Sequence, residues 1–164
     1  MVSATDRIEK RVVLRAPQER VWRAISDPAE FGSWFGVEID GSFAPGAKLT
    51  GRMKPTKFDA DIAKIQEKYT GMEMAIYVEE VEPMRLFSFR WHPFALDNTV
   101  DYSKEPMTLV TFTLEPVEDG TRLTIVESGF DAIPIERRAD AFEANDEGWG
   151  MMTQVVANYL RLQT

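Results

Sequence analysis

Leu86-Phe87-Ser88-Phe89-Arg90-Trp91-His92 alternates apolar and polar side chains from Phe87 onward. Phe87, Phe89 and Trp91 fall on one face, with Ser88, Arg90 and His92 opposite, the pattern of a strand with one side in a core. Residues 107–115 repeat it, with Val110, Phe112 and Leu114 on one face and Thr111, Thr113 and Glu115 on the other. Glu118-Asp119-Gly120 supplies a hairpin turn, and residues 122–130 read as the last strand. Consecutive strands joined by turns predict an antiparallel meander.

The pattern extends toward the N-terminus. In residues 72–81, Met72, Met74, Ile76 and Val78 face one way and Glu73, Tyr77 and Glu79 the other, and Glu82-Pro83 marks a corner. Residues 37–41 and 48–53 are two further strands around the turn Phe43-Ala44-Pro45-Gly46. At the start of the chain, residues 7–15 alternate, with Ile8, Val12 and Leu14 on one parity and Lys10 breaking it. Pro17 then opens a helix carrying Val21, Trp22 and Ile25, which Asp27-Pro28 stops. A second short helix is expected over residues 29–34.

Beyond the last strand the period changes. Pro134 opens a long helix in which Trp149, Met152, Val156 and Tyr159 recur at steps of three and four, widened by Val155 and Leu160. Gly148 and Gly150 flank Trp149 and suggest a close backbone approach there. Residues 54–71 and 93–106 are irregular, although Ile62, Ile65 and Tyr69 fit a turn or two of helix.

The order predicts an α+β fold over residues 1–164 as a single domain. It is a curved seven-stranded antiparallel sheet, with two short helices after the first strand and one long C-terminal helix over the concave face. A single helix is about 10–12 Å wide and leaves part of that concavity open. The expectation is therefore an apolar gap between sheet and helix that takes a small hydrophobic or aromatic molecule. Its lining would be Met74 and Ile76 from one strand, Phe87, Phe89 and Trp91 from the next, and Val110 and Phe112 from a third. Trp149, Met152 and Val156 would come from the long helix, and Trp34 and Phe35 from the second short one. The same side chains would equally serve as solid core.

Composition narrows the chemistry. A net charge of −8 argues against nucleic acid and anionic membranes as partners. The absence of Cys removes disulfides, thiolate metal sites and cysteine nucleophiles, and a lone His excludes sites built on two imidazoles. No apolar run reaches the roughly 18 residues that span a bilayer. Residues 1–6 lack a basic and then apolar leader, so a cytoplasmic location is expected. No cofactor motif is present, and Asp59, Asp61, Glu67 and Glu73 match no metal-ligand spacing, so neither cofactor nor metal is expected.

Glu127 shares the parity of Leu123 and Ile125, so an unbulged strand points it inward. A carboxylate among apolar walls is a candidate acid or an anchor for a ligand's polar end. The plainer reading gives it a bulge, a strand-end position or an Arg partner. His92, opposite the aromatic face, reads as a surface residue before a loop.

The run Val12-Val13-Leu14-Arg15-Ala16-Pro17-Gln18-Glu19-Arg20-Val21-Trp22-Arg23-Ala24-Ile25-Ser26-Asp27-Pro28 resembles the start of START-like, or SRPBCC, domains. More narrowly it is similar to the subfamily related to the C-terminal domain of the activator of the heat-shock-protein-90 ATPase. The stretch from Glu79 to Pro93, then Glu127-Ser128-Gly129-Phe130, then Asn145-Asp146-Glu147-Gly148-Trp149 agree in order. The resemblance implies the helix-grip fold and its cavity. It leaves three functions in play: a binder of a hydrophobic ligand, a polyketide-cyclase or hydrolase type enzyme using Glu127, Tyr77 or Tyr159, and a chaperone-associated interaction module. The co-chaperone's separate N-terminal domain has no counterpart in 164 residues, which weighs against the third. Homodimerisation fits all three.

Overall fold

The computed structural model describes residues 6–95 and 99–162. Residues 1–5, read above as part of no leader, and residues 96–98 of the irregular stretch lie outside the described residues. The chain runs β1 (Arg7–Leu14), α1 (Gln18–Ser26), α2 (Pro28–Phe35), β2 (Val37–Ile39), β3 (Lys48–Met53), α3 (Ala60–Gln66), β4 (Glu73–Glu82), β5 (Leu86–Trp91), β6 (Thr108–Val117), β7 (Gly120–Ser128) and α4 (Ile135–Leu162). The seven strands form one curved sheet in the order β1-β7-β6-β5-β4-β3-β2, every pair antiparallel. This is the antiparallel sheet and long C-terminal helix that the alternation predicts, and the helix-grip arrangement that the resemblance implies.

Local chemistry sets the boundaries. Asp27 both stops α1 and caps α2, its carboxylate accepting from the Ala29 N–H at 2.9 Å, with Pro28 at the first helical position. Asp59 caps α3 by accepting from the Asp61 and Ile62 N–H groups. Gly36 ends α2 at a φ of 100°, and a Cβ there would stand 2.7 Å from the Gln66 side-chain amide. That amide accepts from the Thr56 N–H and donates to the Phe35 carbonyl, so residues 54–71 are tied back to α2. Gln154 and Asn158 of α4 add bonds to Asp59 and to the Phe58 carbonyl.

Several details depart from the alternation. β4 carries a bulge between Val78 and Glu80, and the Glu80 N–H donates to the Ser88 hydroxyl. This buries Ser88 on the side that the pattern gave to solvent. Lys10 has the inward parity of β1 and reaches Asp146 of α4 at 3.0 Å. Gly148 and Gly150 do not mark a close approach, because a Cβ built at either meets nothing within 4 Å. Close backbone approaches fall elsewhere, at Gly32 and Gly120, where a Cβ would lie 2.1 Å from the carbonyl oxygens of Val37 and Leu14.

The middle of the grip is solid. Phe87, Phe89, Val110, Phe112, Trp34 and Val156 are each fully buried. Phe43, from the turn after β2, stacks on Phe87 with ring centres 4.6 Å apart, and α2 adds Phe31 beside Phe112 and Phe43. The open volume predicted between sheet and helix is therefore displaced from the centre, because the α2 and β2–β3 aromatics fill what α4 leaves.

A polar clasp joins the helices. Glu30 of α2 receives Arg20 at 2.7 Å, Arg23 at 2.9 Å and the Tyr159 hydroxyl at 2.7 Å. Partial burial alone would raise the Glu30 carboxyl, but the Tyr159 hydroxyl and the two guanidinium groups outweigh it and hold it below the ordinary glutamate value. A lowered folded-state value means stabilisation that is complete above the ordinary value and lost as pH falls through the lowered one. Acid titration of stability is thus expected to be shallower in Glu30→Gln than in the native chain; identical acid limbs in urea midpoint against pH would exclude the clasp. Gly150→Ala, at an exposed helical position with free space, is expected to stabilise by about 0.5–1 kcal/mol in thermal unfolding.

Candidate functional site

The chemistry of the interior centres on Glu127. β7 is regular to Ser128, so parity aims Glu127 inward opposite Val110 of β6 and Ile8 of β1, and its side chain is fully buried. Among the described residues neither a bulge nor an Arg partner accompanies it, while its place next to the last residue of β7 agrees with the strand-end alternative. Four neutral side chains surround the carboxylate instead. The Trp149 indole N–H donates to Oε1 at 2.8 Å, and the Trp91 indole N–H donates to Oε2 at 2.8 Å. Thr108 Oγ1 lies 2.5 Å from Oε2, and Asn145 Nδ2 lies 2.9 and 3.1 Å from the two oxygens. The indole N–H groups can only donate, so each carboxylate oxygen serves as an acceptor for one of them.

Trp91 and Asn145 have a second face. Together with Phe35 at the end of α2 and Met53 of β3 they wall a cleft of about 500 Å³. Ile65 and Tyr69 close it from the α3 segment, and Met72, Glu73, Met74 and Ala75 form its β4 side. Beyond β5 come His92, Phe94, Ala95 and Tyr102, and α4 adds Ala144 and Glu147. Trp91 lies stacked on Trp149 at 5.7 Å and against Phe35 at 6.0 Å, so Glu127 orients one wall of the cleft from behind.

Of the twelve residues named from periodicity, Phe35, Met74 and Trp91 line this cleft. Ile76, Phe87, Phe89, Val110, Phe112, Trp34, Trp149, Met152 and Val156 lie in the packed interior beside and beneath it. His92 sits on the cleft wall rather than the outer surface, because β5 ends at Trp91 and strand parity no longer governs it. Its Nε2 stands 3.1 Å from the Glu105 carbonyl oxygen. Tyr159 is engaged in the Glu30 clasp, and Tyr77 lies under Lys48. Of the four acidic residues weighed as a cation site, Glu73 reaches the cleft and Asp59 is a helix cap.

Arg137 is a residue that sequence reasoning missed. It pairs with Glu105 at 2.8 Å, donates to the Pro93 and Phe94 carbonyls, and stacks on the Tyr102 ring at 4.8 Å. One helical arginine thereby fastens the 93–106 segment to α4. Phe94 stands at the cleft as an exposed residue with a φ of 51°, a costly backbone state for a bulky side chain. A second hollow, of about 460 Å³, lies between α2, β2 and residues 54–58. Lys54, Lys57, Glu38 and Asp40 line it, and it lies apart from the Glu127 network.

Replacing Glu127 by Gln would put an amide N–H₂ against donors that need an acceptor. The expected loss is about 2–4 kcal/mol of unfolding free energy. Denaturant unfolding followed by tryptophan fluorescence reads it directly, and a loss below about 0.5 kcal/mol would show that the donors find other partners.

The family described as "Activator of Hsp90 ATPase homolog 1-like protein" matches residues 15–161. No match is found among curated proteins. Among solved structures, protein MLL2253 from Mesorhizobium loti is 24% identical, with a TM-score of 0.69 over 96% of this chain and 98% of that one. Protein NE0264 from Nitrosomonas europaea is 18% identical, with a TM-score of 0.71 over 99% and 98%. The Aha1 dimer from Colwellia psychrerythraea is 16% identical, with a TM-score of 0.65 over 94% and 95%. At these identities the likeness is one of fold. No helix among the described residues is long and apolar enough to cross a membrane.

Proposed function

We propose, for a chain that belongs to the Activator of Hsp90 ATPase homolog 1-like family, that it binds a small apolar or aromatic molecule in the cleft beside Trp91. One observation carries this reading: five aromatic and three methionine side chains line a single concavity of about 500 Å³. That volume lies within the usual range of small-molecule sites. Methionines are unbranched and polarisable, so they fit ligands of varied outline, while the aromatic faces supply contact area with little loss of side-chain freedom.

The residues named from periodicity divide by role in this reading. Phe35, Met74 and Trp91 touch the ligand. Phe89 and Trp149 pack on Trp91, Trp149 also packs on Phe35, and Phe112 backs Trp149 from the core. A cyclase or hydrolase step through Glu127 draws no comparable support, since both its oxygens already accept from neighbouring side chains.

The test is a thermal-shift panel of small aromatic and aliphatic molecules, followed by titration calorimetry on those that raise Tm. A ligand that binds only the folded chain raises apparent stability by mass action. Phe94→Ala removes an exposed ring at the cleft and is expected to weaken the hits about fivefold, in keeping with lost apolar contact. A panel without a single shift, or hits that bind Phe94→Ala unchanged, would defeat the assignment to this cleft.

A further inference from the structure

We infer that the cleft selects an organic ammonium ion, a ligand with an alkyl or aromatic body and a cationic, hydrogen-donating head. This rests on the proposed ligand-binding reading and names the class of its occupant.

The charge of Glu127 is the first ground. Its partners are two indoles, an amide and a hydroxyl, all neutral. Among the described residues no Lys or Arg pairs with it. Hydrogen bonds from neutral donors stabilise a buried carboxylate without cancelling its field, and a side chain with no solvent exposure is weakly screened. That field acts through Trp91, whose N–H points at the carboxylate while the ring borders the cleft. Donating to an anion also enriches the indole ring in electrons, which strengthens its face as a cation site.

The polar atoms of the cleft are the second ground. Glu127 takes the N–H₂ end of Asn145, so the amide oxygen is the end left for a ligand. The Glu105 carbonyl can only accept, so His92 donates to it through Nε2. Glu73 and Glu147 add two carboxylates to the lining. No described Lys or Arg lines the cleft. Arg137, behind Tyr102, is paired with Glu105, and Arg52, across the β3–β4 pair from Glu73, does not reach the lining. An ammonium head meets acceptors and aromatic faces there, whereas a carboxylate head meets like charge.

Three probes with one body separate the possibilities: 1-naphthylmethylammonium, 1-naphthalenemethanol and 1-naphthoate, titrated into the full chain by calorimetry. The ammonium is expected to bind about tenfold more tightly than the alcohol, the size of a partly desolvated cation–aromatic contact, and the carboxylate most weakly. The order is expected to persist in about 0.5 M salt, which screens long-range attraction to the acidic surface more than a direct contact inside the cleft. Glu73→Gln combined with Glu147→Gln is expected to lower the ammonium-to-alcohol ratio about threefold. Equal binding of alcohol and ammonium, a tighter carboxylate, a preference that vanishes in salt, or an unchanged ratio in the double variant would each overturn the ammonium assignment while leaving the apolar cleft intact. Failure of all three probes to bind would remove both.

Discussion

A carboxylate with no solvent exposure sets the terms for this molecule. Burying a charge costs several kcal/mol unless strong hydrogen bonds replace water, so Glu127 is tolerable only while its donors stay in place. Those donors come from β5, β6 and two positions one helical turn apart on α4. The grip of helix on sheet is therefore fixed at this end by a directional polar contact. Apolar packing alone would tolerate sliding; a carboxylate that must meet two indoles and an amide would not. A half-satisfied network in a low-dielectric interior is worse than none, which makes one register of α4 far better than its neighbours.

The same contact explains where the open volume lies. Both indoles turn their N–H edges to Glu127 and stack face to face, so Trp91 has its other flank available to the cleft. Toward the centre, Phe43 and Phe31 reach in from the β2–β3 turn and α2 and fill the concavity. At the Trp91 end the rings of Phe35, Tyr69, Phe94 and Tyr102 border the space rather than fill it. The 54–71 and 93–106 segments wall the space instead, the first tied through Gln66 to α2 and the second through Arg137 to α4. Scaffold and lining are thus set by different parts of the chain.

Much of this fold is legible in the sequence because burial on one face imposes a period of two. Phe87, Phe89, Val110, Phe112, Leu123 and Ile125 obey it, and Glu127 follows the same parity into the interior. What parity cannot supply is the company Glu127 keeps, since its donors lie 18, 19, 22 and 36 residues away along the chain. His92 misleads because alternation carries no information past the last paired residue of β5. Phe43 misleads in the opposite direction: it stands in an evident turn, yet its ring is a core residue stacked on Phe87. Gly148 and Gly150 suggested a tight contact, but they stand in open space. Turn residues and glycines report local backbone needs, while the site depends on which distant elements meet.

The division between a rigid hub and a segment-built wall also bears on how one fold can serve varied ligands. Substituting residues in the 54–71 or 93–106 segments changes the outline of the cleft without touching the Glu127 network, so shape can vary at little cost to folding. Charge cannot vary as freely. The buried anion behind Trp91 acts on whatever lies against that ring, and removing it would leave four donors without an acceptor. The feature that stabilises the grip therefore also biases the electrostatics of the cleft, and on the proposed reading folding and ligand preference are coupled through a single side chain.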